Sequence, residues 1–189
     1  MQRNSLSSAT IVSQINNIDI VLYKGDITFV EEIAIANAAN SSLLGGGGVD
    51  GAIHYRAGKQ LKQECWEIFK KEKGCKPGHA KITSGGNLPA QYVIHTVGPV
   101  WHNGVRNEDI VLGNCYKNSI IVAEKNKISG LIFPSISTGI FGYPVEKAAE
   151  VSKIAVSSAL ENSKFLKRVG WCLFDRVTYM AYEKAWSTK

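Results

Sequence analysis

The chain has no run of about 18 apolar residues, so no stretch is suited to crossing a membrane as a helix. Its first ten residues, Met1 to Thr10, are polar, lack the apolar centre of a secretory signal, and with one arginine, Arg3, make a poor transit peptide. A cytoplasmic location is the expectation. The four cysteines, Cys65, Cys75, Cys115 and Cys172, show no CxxC spacing, which argues against a zinc ribbon or a disulfide framework and for free, buried thiols. The four histidines lack ligand spacing too, so no metal is expected. No GK[ST] follows the glycines and no G-x-S-x-G occurs, which argues against kinase or ATPase chemistry and against a serine nucleophile elbow. There is no internal repeat and no low-complexity linker, and 189 residues suit one domain with a sizeable core. The net charge of +6 eases the approach of an anionic ligand, but no concentrated basic patch supports nucleic acid as the partner.

What the sequence does have is concentrated between Gly25 and Gly58. Gly25-Asp26-Ile27-Thr28 leads into an apolar segment, then into Asn37 and Asn40, four consecutive glycines from Gly45 to Gly48, and Asp50 at the start of a helical pattern. Each glycine costs roughly 0.5–1 kcal/mol relative to alanine in an ordered element, so such a run implies close approach of backbone to something. Successive N–H groups at a helix N-terminus suit a phosphate by hydrogen bonding and by the helix dipole. Gly46 to Gly51 also matches GxGxxG, but the acidic residue required about 20 positions on, at the end of a second strand, is missing: Glu72 ends a polar helix.

In chain order, residues 10–15 and 18–23 read as strands around an Asn16-Asn17 turn. Asp26 suits the cap of a short helix from Ile27 to Glu32, followed by a strand from Ile33 to Asn37. Helices are expected at 49–57, 59–73 (ended by Gly74), 109–126, 144–163 and 178–185, the fourth with Ala148, Val151, Ile154, Ala155 and Ala159 inward. Further strands are expected at 80–83, 92–97, 130–134 and 169–174. Alternating strands and helices give an α/β layered fold, with ligands expected beyond the carboxyl ends of the strands.

GDIT at 25–28, NAAN at 37–40, GGGGVDGAIH at 45–54, LPAQYVIHTVGP at 88–99 and FPSISTGIFGYP at 133–144 together resemble a macrodomain of the MacroD type. The similarity runs over roughly residues 18 to 185. It implies a three-layer α/β/α fold with a mixed central sheet of about six strands, residues 18–189 forming the macrodomain and residues 1–17 an N-terminal extension or first strand. It also implies ADP-ribose binding and a bacterial-type activity on O-acetyl-ADP-ribose or mono-ADP-ribosylated proteins, without a cofactor and as a monomer. Ala36 before NAAN, His54-Tyr55-Arg56-Ala57 and Ser84-Gly85-Gly86-Asn87 depart from the common family pattern.

Read residue by residue, Asp26 suits a helix cap, and the resemblance adds contact with adenine, supported by Gly25 and Ile27. Asn40 and Asn37 offer amides that donate and accept at once, and the resemblance assigns Asn40 to the distal ribose and the attacking water, with Asn37 as support. Gly46, Gly47, Gly48 and Val49 suit a phosphate loop; Ser137, Thr138, Gly139, Ile140 and Phe141 read as an ordinary loop from the residues alone, and the resemblance makes them the second phosphate-binding segment. Asp50 stands at a helix N-terminus, which favours its charged form and a role in orienting water. His54, at i+4, shares its face and is expected to steady it. His95, within VIHTV, is expected as a satisfied core residue. The expected function is binding of ADP-ribose and hydrolysis of its esters. The alternatives are a reader without turnover, and a module binding RNA or poly(ADP-ribose).

Overall fold

The computed structural model describes residues 6–187; the expectations for residues 1–5 and 188–189 fall outside them. β1 (Thr10–Ile15) and β2 (Ile18–Lys24) form an antiparallel pair. The turn between them is Asn16-Asn17, both left-handed at φ 49° and 63°, as a two-residue hairpin turn requires. Next come β3 (Ala34–Ala38), α1 (Gly48–Ala57), α2 (Lys59–Glu72), β4 (Ala80–Ser84) and β5 (Tyr92–Thr96). The chain closes with α3 (Glu108–Lys125), β6 (Gly130–Phe133), α4 (Val145–Leu160), β7 (Arg168–Leu173) and α5 (Arg176–Ser187).

The sheet order is β1-β2-β7-β6-β3-β5-β4. The five inner strands run parallel and the two edge strands, β1 and β4, antiparallel, giving a mixed sheet of seven strands where about six were expected. Alternation along the buried strands divides the core. Ile20, Leu22, Ala34, Ala36, Phe133 and Trp171 face α3, α4 and α5; Val21, Ile35, Val93 and Ile132 face α1 and α2. Trp171 anchors the first face, with ring centroids 5.3–6.2 Å from Trp186, Tyr182, Phe133 and Tyr116. The fold is a three-layer α/β/α sandwich.

Several boundaries shift from the sequence reading. The helix expected over 27–32 is a single 3₁₀ turn, Ile27–Phe29, capped by Asp26, whose Oδ1 accepts from Thr28 N at 2.9 Å. α2 is closed by Lys73 in the left-handed conformation, one residue before Gly74. α4 ends at Leu160, and Ile154, expected to be inward, is 69% exposed. Its place in the buried stripe is taken by Ser152, whose hydroxyl donates to the Ala149 carbonyl at 2.7 Å and so enters the core already paired.

Candidate active-site cleft

A cleft of about 690 Å³ opens beyond the carboxyl ends of β2, β3, β6 and β7. Its walls include Gly25, Asp26 and Ile27 after β2, Asn40 after β3, and Gly46, Gly47, Gly48, Val49 and Asp50 at the start of α1. The segment Ser137-Thr138-Gly139-Ile140-Phe141 after β6 closes the opposite side. Two expected site residues, Asn37 and His54, do not line it; they lie buried behind Asp50. The sequence reading gave no site role to Ala38-Ala39, Gly98, Ser135, Leu173-Phe174 and Thr178, which also line it. Most carry no polar side chain, and only their place at strand ends could have pointed to them. The hydroxyls of Ser135 and Thr178 are already engaged, the first with Thr138 and Tyr182 and the second with Asp175.

The floor is built from hydrogen bonds. Asn40 Oδ1 accepts from Ser42 N at 3.0 Å and Ser42 Oγ at 2.6 Å, while its Nδ2 donates to the Gly45 carbonyl at 2.9 Å, which ties the loop into α1. Leu43, wholly buried with φ 62°, pins the same loop to the core. The N-cap of helix α1 is Gly47, which has no side chain to cap it, so the first-turn N–H groups face the cleft end of the helix unclaimed by any side-chain cap. Across the cleft, Ser137 stands in a left-handed conformation at φ 66°. Thr138 Oγ1 donates to Ser135 Oγ at 2.8 Å, and Tyr182 of α5 meets Ser135 Oγ at 3.0 Å. That second loop is therefore held from below by the core.

Asp50 is 4% exposed and its two oxygens have different surroundings. Oδ1 accepts from Asn37 Nδ2 at 2.7 Å and lies 3.3 Å from His54 Nε2. Oδ2 has no hydrogen-bond partner among the described residues. A Cβ placed on Gly46 would lie 3.1 Å from Asp50 Oδ2 and 3.2 Å from Asn40 Nδ2, so a carboxylate acceptor and an amide donor converge on a position where the chain carries no side chain. Asp26 uses Oδ1 for both Thr28 N and Thr28 Oγ1, at 2.9 and 2.7 Å.

The histidines and cysteines take no nucleophilic position. All four cysteines are free and buried; burial pushes the Cys65 and Cys172 thiols up to about 12 and those of Cys75 and Cys115 to about 11. His54, Cys65 and His95, distant in sequence, place ligand atoms within 4.8 Å of one another. Both His95 nitrogens already have partners there, Asn37 Nδ2 at 3.1 Å and Thr83 Oγ1 at 2.9 Å.

The comparisons agree with this architecture. The family model for the Macro domain matches residues 36–152. The chain is 50% identical over 160 residues to an O-acetyl-ADP-ribose deacetylase of Klebsiella pneumoniae (strain 342), covering 85% of this chain and 91% of that protein. It is 48% identical over 169 residues to the human ADP-ribose glycohydrolase MACROD2, covering 87% of this chain and 38% of that protein. The Oceanobacillus iheyensis macrodomain with ADP superposes with a TM-score of 0.89 at 38% identity, covering 96% of this chain and 95% of the other. The Trypanosoma brucei macrodomain in complex with ADP-ribose gives 0.83 at 37% identity, covering 93% and 73%. The chain belongs to the macro domain family. No helix among the described residues is long and apolar enough to cross a membrane.

Proposed function

We propose that the chain binds ADP-ribose in this cleft and hydrolyses its esters, both O-acetyl-ADP-ribose and mono-ADP-ribose attached to acidic side chains of proteins. One observation carries the reading: Asp50 Oδ2 and Asn40 Nδ2 converge beside Gly46, between two loops suited to a pyrophosphate. A carboxylate oxygen with no protein partner beside an amide donor suits the orientation of one water molecule. Close relatives that carry hydrolase names support turnover over binding alone.

In this mechanism the phosphate loops hold the diphosphate, Asp26 and Ile27 receive the adenine end, and Asn40 holds the distal ribose. Asp50 and a phosphate oxygen of the substrate orient the water. For a glutamyl or aspartyl ester, the water oxygen bonds to the anomeric carbon and the bond from that carbon to the ester oxygen breaks. The acceptor then departs as a carboxylate, and the water's proton passes through the phosphate oxygen to solvent. For an acetyl ester the water oxygen bonds to the carbonyl carbon, the bond from that carbon to the ribose oxygen breaks, the ribose oxygen takes up a proton from the water and acetate is released. Neither route calls for a cofactor.

The test is incubation of the purified protein with O-acetyl-ADP-ribose and with a glutamate-linked mono-ADP-ribosylated protein. Release of free ADP-ribose from the protein conjugate, and of acetate from the acetyl ester, supports the reading. Tight ADP-ribose binding by calorimetry with no release from either substrate would make the chain a reader.

A further inference from the structure

A row of buried polar side chains crosses three strands beneath the cleft and ends on Asp50. Thr83 is on β4, His95 on β5, Asn37 on β3 and Asp50 on α1. Parallel pairing of β3 with β5 sets Asn37 opposite His95, on the face that packs against α1 and α2. The bonds run Thr83 Oγ1 to His95 Nε2 at 2.9 Å, His95 Nδ1 to Asn37 Nδ2 at 3.1 Å, and Asn37 Nδ2 to Asp50 Oδ1 at 2.7 Å. His95 and Asn37 are both wholly buried. Four polar groups in a core are costly unless each is paired with the correct polarity.

The polarity is fixed from the Asp50 end. A carboxylate oxygen accepts, so Asn37 Nδ2 donates to Asp50 Oδ1 and presents its second hydrogen to His95 Nδ1, which must therefore be the bare acceptor of the ring. His95 then carries its proton on Nε2 and donates to Thr83 Oγ1, whose own proton goes to the Ser84 carbonyl at 3.0 Å. An Asn37 amide turned over would set its oxygen against both the His95 lone pair and the Asp50 carboxylate. Burial, with repulsion from His54, pushes the His95 imidazole down to about 3, so the ring is neutral and Nδ1 stays free to accept.

Building on the hydrolytic reading above, we propose that His95, oriented by Thr83, is a positioning residue for turnover. Through Asn37 it locks Asp50 by Oδ1 and so leaves Oδ2 directed at the water. His95 touches no substrate in this scheme. Its contribution is to the rate, because Oδ1 is held away from the cleft whether or not ADP-ribose is bound.

The experiment measures kcat and KM for O-acetyl-ADP-ribose, ADP-ribose affinity by calorimetry, and the imidazole tautomer by 15N NMR. The proteins are wild type, Asp50→Ala, Thr83→Val, Thr83→Ser, His95→Leu and His95→Asn, each checked for a cooperative melt. Thr83→Val keeps the shape and removes the hydroxyl; His95→Asn keeps an acceptor near the Nδ1 position. A pyridine-like Nδ1 and pyrrole-like Nε2 are expected for His95 in wild type, with that preference lost in Thr83→Val. Loss of positioning should lower kcat about 10–100-fold in Thr83→Val and His95→Leu while KM and ADP-ribose affinity hold. Thr83→Ser and His95→Asn should restore most of it. Wild-type kcat in both disruptive variants, a KM that rises in step with falling kcat, or a protonated Nδ1 would overturn the proposal. A wild type without turnover on either substrate defeats the hydrolytic reading instead, and the tautomer then decides alone whether His95 holds Asn37.

Discussion

Asn37 donates to Asp50 Oδ1 across 2.7 Å, a bond that joins the sheet to the first turn of α1 beneath the cleft. It makes the two oxygens of one carboxylate unequal, since Oδ1 is bound within the protein and Oδ2 has no partner there. A merely structural carboxylate at a helix start would normally accept from the helix's own N–H groups. Asp50 instead sits three residues past the N-cap, Gly47, of a helix that has no side-chain cap. Asp50→Ala is therefore expected to lower turnover at least about 10²-fold, the scale of a lost residue that orients or activates the nucleophile. ADP-ribose affinity should stay near that of wild type. Single-turnover release of ADP-ribose checks the first and calorimetry the second; intact turnover would move the chemistry away from α1.

Much of this arrangement was legible in the sequence, for identifiable reasons. The parallel strands are short apolar runs bounded by Gly, Asn and Pro, so Ile18–Lys24 and Gly130–Phe133 stand out from their flanks. The glycine run from Gly45 to Gly48 stands out by composition, whereas Ser137 to Phe141 is singled out only by the resemblance. The row from Thr83 to Asp50 is marked by neither. Asn37 and His95 are 58 residues apart, and only the pairing of β3 with β5 sets them side by side. Ile154 shows the opposite failure: counting apolar residues placed it inward, whereas a serine with its hydroxyl satisfied locally took the buried place.

Substitutions at two glycines should separate binding from turnover. Gly48 has φ +58° and open space where a side chain would go, so Gly48→Glu would strain the first turn and add a negative charge at the phosphate loop. Calorimetry should show ADP-ribose binding abolished, and unchanged affinity would remove the phosphates from this loop. Gly46→Ala adds a methyl at 3.1 Å from Asp50 Oδ2 and 3.2 Å from Asn40 Nδ2, contacts tight enough to displace both groups. Turnover should fall about 10–100-fold, as small displacements of reacting groups do. Affinity should fall much less.

Leu43 ties the Asn40–Gly45 loop to the core and does so in a left-handed conformation that costs a leucine backbone energy. Burial of the side chain offsets that strain. Leu43→Ala should destabilise the protein by about 2–5 kcal/mol in urea unfolding, the range for a buried leucine lost. Leu43→Gly loses the same contacts and relieves the backbone, so its cost should not exceed that of the alanine by the usual glycine penalty. A midpoint unchanged in both would mean that the loop is not anchored through Leu43.

The buried, neutral His95 also sets how stability responds to acid. Its native pKa is pushed down to about 3 from 6.5, so between those values the unfolded chain takes up a proton that the folded chain refuses. Stability from this residue is present above about pH 6.5 and declines as the pH falls, by up to about 1.4 kcal/mol per pH unit. The carboxylates that accept several backbone N–H groups, Glu108 and Glu124, have lowered pKa values, so they lose their contribution only below the ordinary carboxylate value of 4.5. The interval from about pH 6.5 to 5 lies above the carboxylates, and over it the His95 contribution should cost wild type up to about 2 kcal/mol. In His95→Asn that loss should be absent, so the same interval should be shallower by about that amount, whatever the absolute stability of the variant. Urea unfolding of both proteins at the two ends of that interval measures the difference in slope. Equal slopes would mean that His95 takes up its proton in the folded protein, and the Thr83–His95–Asn37 polarity would then be wrong as well.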